Sequence, residues 1–424
     1  MNKIISPKKA LKGSIKVAGD KSISHRAIMF ASIANGITNI TGFLTGEDCM
    51  STIDCFRKLG INIEVNNDNV TVYGKGLRGL KSSNSTLDVG NSGTTIRLIS
   101  GILSAQNFDT TLTGDSSIQK RPMNRVINPL RQMGANIEST NDGHAPITIH
   151  GSKLKPMQYQ MPMASAQVKS SILLASLYAE GTTIITEPIA SRDHTEIMLN
   201  YFGADIIKKQ DKIYSTPVKE LYAKDINIAG DISSAAFFIV AGLIVPNSHI
   251  IIQNVGINPS RTGIIDALKA MGGNITITNE RTSGGELVAD IEVKTSKLSA
   301  TTLEGSIIPR MIDEIPIFTI AALTAEGTSY VKDASELKVK ESNRIATMAM
   351  ELKKLGVNIT ETEDGMIIDG GQEIKTGTVH SHLDHRVAMS MAIAGLIAKE
   401  DIIITDADCV GISFPNFYEV LNSL

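Results

Sequence analysis

The sequence contains no tryptophan, and aromatic residues make up only 4% of it. Stacking platforms for single-stranded nucleic acid are therefore not expected. Cysteine is also scarce, with only Cys49, Cys55 and Cys409 and no CxxC pair. An odd, sparse set reads as reduced thiols in a cytoplasmic protein, not as a disulfide framework or a zinc site. Long hydrophobic runs are missing. The longest, Ala235–Val245 and Val387–Ala398, fall short of the roughly 18 to 20 residues that a membrane span needs. The opening stretch MNKIISPKKALKGS lacks the apolar segment of a signal peptide. There is no excess of positive charge either: Lys+Arg is 41 and Asp+Glu is 44, for a formal charge of -3. A broad cationic surface for nucleic acid or anionic lipid is not expected, which leaves room for a local basic cleft. No GxGxxG follows the first strand, and the one glycine loop, GNSGTT at Gly90–Thr95, lacks the GKS or GKT ending of a P-loop. No nucleotide or nicotinamide cofactor is indicated.

What is present is repetition. The chain is 424 residues long and 42% hydrophobic, which suggests a globular protein of about two domains. A helical stretch ending in Leu-x-x-φ-Gly, then a short strand, recurs five times, at Gly60, Gly134, Gly203, Gly272 and Gly356. Each glycine fits the position just past a helix end, where positive φ is cheap only without a Cβ. Interleaved with it is a short strand, a polar turn, an apolar helix rich in small residues, and another strand. This second pattern occurs six times, and its helices are apolar nearly all round, as buried helices are. Together the two patterns predict six β-α-β-α-β-β units of roughly 70 residues, longer than solenoid repeats. The sixth unit ends at Leu424 before its closing strands, unless residues 1–18 supply them. The expected fold is thus α/β (α+β), with two similar domains of three repeats each. One domain is discontinuous, 1–18 plus 230–424, and the other is 19–229. The crossovers fall near Gly19 and Gly230, and an active-site cleft is expected between the domains.

The polar turns before the buried helices carry the unusual residues: Lys21-Ser22, Asn91–Thr94, Ser165–Gln167, Asp231–Ser234, Asp313-Glu314 and Asp384–Arg386. Simple N-capping explains Ser, Thr, Asp and Asn there. It does not explain the cations within a turn of them, Lys21, Arg26, Arg97, Lys169, Arg310 and Arg386. A cation at a helix N-terminus opposes the helix dipole, so its presence points to a bound anion. Lys120, Arg121, Arg125, Arg192, Lys340 and Arg344 extend the set, with Arg125 and Lys338 expected as solvated surface charges. Lys340 and Arg344 read as i,i+4 neighbours on one helical face, with Glu341 pointing elsewhere. Asp313 reads as the start of a buried helix, and His25 and His194 as satisfied structural histidines. The spacing of His380, His382 and His385 would permit chelation, but Arg386 beside them argues against a metal site.

The ordered set KSISHRA, GNSGTTIRL, KRPM, SAQVKSS, SRDHTE, MIDEIP, VKESNR, LDHRVAM and SFPNF resembles the 5-enolpyruvylshikimate-3-phosphate synthase family along the whole chain. That resemblance implies two domains of three β-α-β-α-β-β units. It implies transfer of the enolpyruvyl group of phosphoenolpyruvate to the 5-hydroxyl of shikimate 3-phosphate, in the pathway to chorismate and the aromatic amino acids. Carried onto this sequence, it implies phosphoenolpyruvate contacts at Lys21, Gly93, Arg121, Gln167, Arg344 and Arg386. It implies shikimate 3-phosphate contacts at Lys21, Ser22, Arg26, Ser165, Gln167, Ser191, Arg192, Asp313 and Lys340. Asp313 and Glu341 resemble the acid/base pair, with Lys21 as a third catalytic residue and His385 as a helper. Neither cofactor nor metal is implied, and the partners are small anionic substrates acted on by a cytoplasmic monomer, with no nucleic acid or membrane. Three positions depart from the usual pattern: Ala166, Glu336 and Ile412, the last where many members carry a lysine.

Three rival readings stand against this one. The sister enolpyruvyl transferase acting on UDP-N-acetylglucosamine carries a reactive cysteine where this chain has SSIQKRPM, and opens its first helix with Lys-Asn where this one has Lys-Ser. A non-enzymatic six-repeat clamp on nucleic acid needs unpaired inner cations, whereas here cations accompany carboxylates. A catalytically dead paralogue is disfavoured by the presence of both Asp313 and Glu341.

Overall fold

The computed structural model describes all 424 residues. Thirteen helices punctuate the chain. They are α1 (Lys21–Ile33), α2 (Glu47–Lys58), α3 (Gly93–Leu103), α4 (Asn124–Gln132), α5 (Ala166–Ser176), α6 (His194–Tyr201), α7 (Ile232–Ile244), α8 (Gly263–Ala270), α9 (Ile307–Met311), α10 (Ile315–Thr324), α11 (Arg344–Lys354), α12 (His385–Gly395) and α13 (Phe417–Asn422). The chain divides into two units. The first comprises Met1–Ala18, Ala229–Arg281 and Leu287–Leu424, and the second Gly19–Ile228 with Thr282–Glu286. The short piece Thr282–Glu286 is the tip of the hairpin formed by Asn274–Ser283 and Glu286–Lys294.

Each unit carries three sheets, and five of the six sheets have four strands. The second repeat shows the plan. Leu87–Asp88 runs parallel to Thr110–Thr113 across α3, and the hairpin His144–His150 with Asn136–Thr140 then adds antiparallel. Strands alternate buried and exposed residues, as expected of sheets with one face on a core. The helices α7, α10 and α12 pack on one another in the first unit, and α3 packs on α1 and α5 in the second. They are buried almost all round: only Lys21 and Ser22 of α1 and only Ile244 of α7 keep partial exposure. Small residues permit such close helix packing, for example Gly101 of α3, where an added Cβ would lie 2.2 Å from the Ser171 carbonyl oxygen of α5. The five recurring glycines all have positive φ, from 78° at Gly356 to 97° at Gly203, so each ends its helix as the sequence predicts.

The strand pairing at the two crossovers differs from a simple cut between repeats. Lys12–Lys16, which directly precedes α1, runs parallel to His249–Gly256 of the fourth repeat. Ile226–Asn227, which precedes α7, runs parallel to Asn35–Thr41 of the first repeat. The leading strands of the first and fourth repeats are therefore exchanged. This corrects the expectation that residues 1–18 close the sixth repeat. Lys3–Ile5 does pair antiparallel with Ile402–Thr405, but Lys12–Lys16 is diverted to the edge left open in the fourth sheet, so the sixth sheet has three strands. An unpaired edge presents a row of backbone donors and acceptors, and the N-terminal strand satisfies it.

Candidate active site

In the second unit, the N-terminus of α1 is capped by Asp20, whose carboxylate accepts from the Ile23 N–H at 2.8 Å. That leaves Lys21 and Ser22 at the first helical turn. The Lys21 ammonium pairs with Asp48 of α2 at 3.2 Å, a partner the sequence reading did not identify. Ser92 caps α3 and Ser165 caps α5, accepting from Thr95 and Val168 respectively. These caps bring Gly93 and Gln167 to adjacent helix ends. The Arg97 guanidinium donates to Gln167 Oε1 at 2.5 Å, and Gln167 Nε2 donates to Thr94 Oγ1 at 3.2 Å. Arg121 follows the short turn Ile118–Lys120 and donates to Asn91 Oδ1 at 2.6 Å. A Cβ placed on Gly93 would lie 3.1 Å from Arg97 Nη1 and 3.3 Å from Arg121 Nη1. Gly93, Arg121 and Gln167, expected together on phosphoenolpyruvate, are thus brought together, with Arg97 between them. Gly93→Ala should push both guanidiniums aside by a few tenths of an ångström. The expected result is a KM for phosphoenolpyruvate raised about 10-fold, with the KM for shikimate 3-phosphate changed less than about 2-fold. Equal shifts in both constants, measured by initial rates, would remove Gly93 from that subsite.

Among the residues expected on shikimate 3-phosphate, Arg26 is tied to Ser22 of its own helix and to α5 and α6. Its guanidinium donates to the Ser22 carbonyl at 2.9 Å, to Ser170 Oγ of α5 at 2.9 Å and to Thr195 Oγ1 of α6 at 2.7 Å. Burial draws Arg26 down to about 10, against Glu196, and the nearby charge of Arg192 acts in the same direction as burial. Arg26 stays charged at neutral pH. Lys169 is a correction. It is fully buried between Glu187 and Glu196, so it is not an anion-binding cation at the mouth of α5. Arg310 likewise pairs with Asp266 at 2.6 Å and joins neither cluster described here.

His25, on α1, is fully buried. Its Nδ1 lies 2.7 Å from Thr52 Oγ1, which lies 2.7 Å from Thr95 Oγ1, which donates to Ser92 Oγ at 2.7 Å. This chain of hydroxyls ties α1 and α2 to the start of α3. Burial, with help from Lys21 and Arg26, holds His25 at about 3. Its folded pKa is therefore below the ordinary value of 6.5. Above that value neither state takes the proton and the stability is fully present. As pH falls below it, the unfolded chain is protonated and the folded one is not, so stability is lost. About 2 kcal/mol should disappear from this residue between pH 7 and pH 5. Denaturant melts of wild type and His25→Asn at both pH values check this. The variant, whose amide still reaches Thr52, should lose correspondingly less on acidification; an unchanged pH slope would count against it.

In the first unit, Asp313 is not at a capped helix start, as the sequence reading expected. It lies in a single 3-10 turn, Ile312–Glu314, between α9 and α10, with no side-chain cap bond. Its Oδ1 is 3.4 Å from Lys340 Nζ and 3.3 Å from Arg344 Nη1. Lys340 and Arg344 are not on one helical face either. Lys340 is extended after the 3-10 turn Ser335–Val339, and α11 begins only at Arg344, behind the Asn343 cap. Glu341 does not point elsewhere: its carboxylate accepts from Arg344 Nη2 at 2.6 Å. Arg344 is also fixed by Asp384, through Nε to Oδ2 at 2.8 Å and Nη2 to Oδ1 at 3.3 Å. Asp384 caps α12 by accepting from the Arg386 N–H at 2.9 Å. Burial by itself would depress Arg344, but Glu341, Asp384 and Asp313 outweigh it and hold the charge. Burial would raise Asp384, but Arg344 keeps it below the usual carboxylate range. Asp384 sits in a motif singled out in the sequence, yet its service to Arg344, 40 residues away, had no local signal. The Arg386 guanidinium lies 3.9 Å from Glu314. His385 is buried beside Asp384, while His380 and His382 bond Asp406 and Glu351 at 2.7 Å each.

Each unit thus holds a cluster of cations and hydrogen-bond donors suited to phosphate and carboxylate groups, and the first adds paired carboxylates suited to proton transfer. The family model for EPSP synthase (3-phosphoshikimate 1-carboxyvinyltransferase) matches residues 5–421. The chain is 57% identical over 420 residues to the 3-phosphoshikimate 1-carboxyvinyltransferase of Thermoanaerobacter sp. (strain X514), covering 99% of both chains. It is 54% identical over 415 residues to that of Bacillus cereus (strain G9842), covering 98% of this chain and 97% of the relative. Among solved structures, an EPSP synthase from Acinetobacter baumannii superposes with a TM-score of 0.91 at 48% identity, over 100% of this chain and 97% of that one. By sequence over nearly its whole length and by fold, the chain belongs to the EPSP synthase (3-phosphoshikimate 1-carboxyvinyltransferase) family.

Proposed function

We propose that the protein transfers the enolpyruvyl group of phosphoenolpyruvate to the 5-hydroxyl of shikimate 3-phosphate, with Asp313, Glu341 and Lys21 handling the protons. The observation that carries the assignment of roles is the convergence of Lys340, Glu341 and Arg344 on and around the Asp313 carboxylate. The two substrates bring two phosphates and two carboxylates, and each cation in the clusters answers one of these charges. Lys340 and Arg344 lie 3.4 and 3.3 Å from the Asp313 carboxylate.

The reaction is an addition followed by an elimination. Asp313 accepts the 5-hydroxyl proton as that oxygen attacks C2 of phosphoenolpyruvate, while Glu341 protonates C3. The tetrahedral adduct then returns a C3 proton to Glu341 as the C2–O bond to phosphate breaks, and phosphate leaves with the bonding pair. Lys21, Gly93, Arg121, Gln167, Arg344 and Arg386 serve phosphoenolpyruvate. Lys21, Ser22, Arg26, Ser165, Gln167, Ser191, Arg192, Asp313 and Lys340 serve shikimate 3-phosphate. No helix is long and apolar enough to cross a membrane. Cys49, Cys55 and Cys409 form no disulfide, which suits a reducing cytoplasm, and light scattering of the purified chain tests whether it acts as a monomer.

The deciding assay is phosphate release from phosphoenolpyruvate with either shikimate 3-phosphate or UDP-N-acetylglucosamine as acceptor. Turnover is expected with the first alone. Release with the second would overturn the proposal in favour of the sister transferase.

A further inference from the structure

Lys169 has no contact with solvent, and its ammonium meets two carboxylates: Glu187 at 3.0 Å and Glu196 at 2.7 Å. Burial alone would strip the proton from Lys169, but Glu196 and Glu187 more than offset it, so the ammonium form is favoured. Glu196, also buried, is pushed upward by burial and drawn back only in part by Lys169. A buried ion group of this kind is weak support for stability, since desolvation opposes the attraction. Its contacts point to a different service.

Glu187 follows the strand Thr183–Thr186, and the chain then runs without regular structure to α6 at His194. Ser191 lies in that segment, and all three of its polar atoms are held by the Lys169–Glu187 pair. Its hydroxyl donates to Glu187 Oε1 at 2.5 Å, and its N–H donates to the same oxygen at 3.3 Å. Its carbonyl accepts from Lys169 Nζ at 3.3 Å. The two backbone bonds hold the segment whichever way the hydroxyl turns. The far end of the segment is fixed separately, through Thr195, whose hydroxyl accepts from Arg26 and lies 2.6 Å from Ser170 Oγ.

We infer that Glu187, itself held by Lys169, is a positioning residue that presents Ser191 to shikimate 3-phosphate. This rests on the proposed reading of Ser191 as a contact for that substrate. Glu187 does not touch the substrate. It determines where the Ser191 backbone and hydroxyl stand before the substrate arrives, and so lowers the ordering cost of binding.

The test uses the full chain carrying Glu187→Gln, Ser191→Ala or both, with the KM for each substrate and a thermal melt measured for every protein. Ser191→Ala should raise the KM for shikimate 3-phosphate about 10-fold, the size of one lost charge-assisted hydrogen bond. Glu187→Gln should raise the same constant by a similar factor and leave the KM for phosphoenolpyruvate within about 2-fold. The double variant should be no worse than the poorer single one, since both changes act through one residue. If Glu187→Gln does not fold, Glu187→Asp keeps the charge for Lys169 but shortens the reach to Ser191, and the same split is expected. A multiplicative loss in the double variant, or equal rises in both constants with a lowered melting temperature, would show a merely structural role and overturn the inference. An unchanged shikimate 3-phosphate KM in Glu187→Gln, beside a raised one in Ser191→Ala, would also overturn it while leaving the reading of Ser191 intact. An unchanged constant in Ser191→Ala would instead overturn that reading, and the inference with it.

Discussion

Asp313→Asn should fold and melt nearly as wild type yet lose at least about 100-fold in kcat. The structure sharpens the reason. Asp313 caps no helix, so no cap is lost on substitution. Lys340 and Arg344 both reach its Oδ1, and an asparagine oxygen can still accept from each. Arg344 keeps Glu341 and Asp384 and so is not left as an uncompensated buried charge, and the ion-pair loss should cost about 1 kcal/mol of stability. What asparagine cannot do is take the 5-hydroxyl proton. Because that proton moves only in the transition state, the loss should fall on kcat more than on the KM of either substrate. Thermal melts and steady-state rates on one preparation decide the matter. A kcat within about 3-fold of wild type would move the base to Glu341 or Lys21.

Arg344→Met should damage stability and activity together. The Arg344 side chain is almost wholly buried and binds Asp313, Glu341 and Asp384, the last of which has no exposed side-chain surface. Methionine fills much of the volume but leaves Asp384 as a buried carboxylate with Ser342, the Arg386 N–H and the neighbouring His385. Removing one partner of a buried ion group costs about 3 to 5 kcal/mol, which for a unit of this size lowers the melting temperature by about 10 °C. The deficit has a pH signature. In wild type, Arg344 holds Asp384 below the usual carboxylate range, so that contribution is present above the unfolded pKa and is lost in acid. In the variant, burial dominates and raises Asp384, so the folded state is penalised increasingly as pH rises. The gap between variant and wild type should therefore be wider at pH 8 than at pH 5. Activity should fall by at least about 100-fold in kcat/KM if Arg344 serves phosphoenolpyruvate as proposed, and Glu341 loses its anchor in any case. Arg344→Lys keeps a charge but not the planar fork, and should fall between the two. A melting temperature within about 2 °C of wild type would show that Asp384 finds another partner.

Much of the candidate site's local geometry was legible because its residues sit in local motifs. Gly93, Gln167 and Ser165 stand at the starts of buried helices, where a cap, a small residue and a nearby cation leave a readable pattern. Partners that come from elsewhere left no such pattern. Asp48 meets Lys21 from the next helix, Glu187 meets Lys169 across 18 residues, and Asp384 meets Arg344 across 40. Read alone, Lys169 looked like an anion-binding cation, since charge is written in the sequence and burial between two carboxylates is not. Lys340 and Arg344 misled for a related reason. Their spacing suits a helix, but the Asn343 cap starts α11 only after Lys340, which remains extended.

The sequence by itself determined the six-fold repeat, the buried helices and the glycines that end the alternate ones, because these follow from hydrogen bonding and apolar patterning within a few residues. It also marked the cations beside helix N-termini as candidates for anion binding, though Lys169 and Arg310 among them are held by carboxylates. Only the tertiary structure decided the exchange of Lys12–Lys16 and Ile226–Asn227 between sheets, since a strand pairs with whichever open edge the fold brings to it. Only the tertiary structure decided which carboxylate holds which cation. Opposite charges attract whatever their separation along the chain, and it is the packing of buried helices that sets Asp384, Glu341 and Asp313 around one guanidinium and Glu187 and Glu196 around one ammonium.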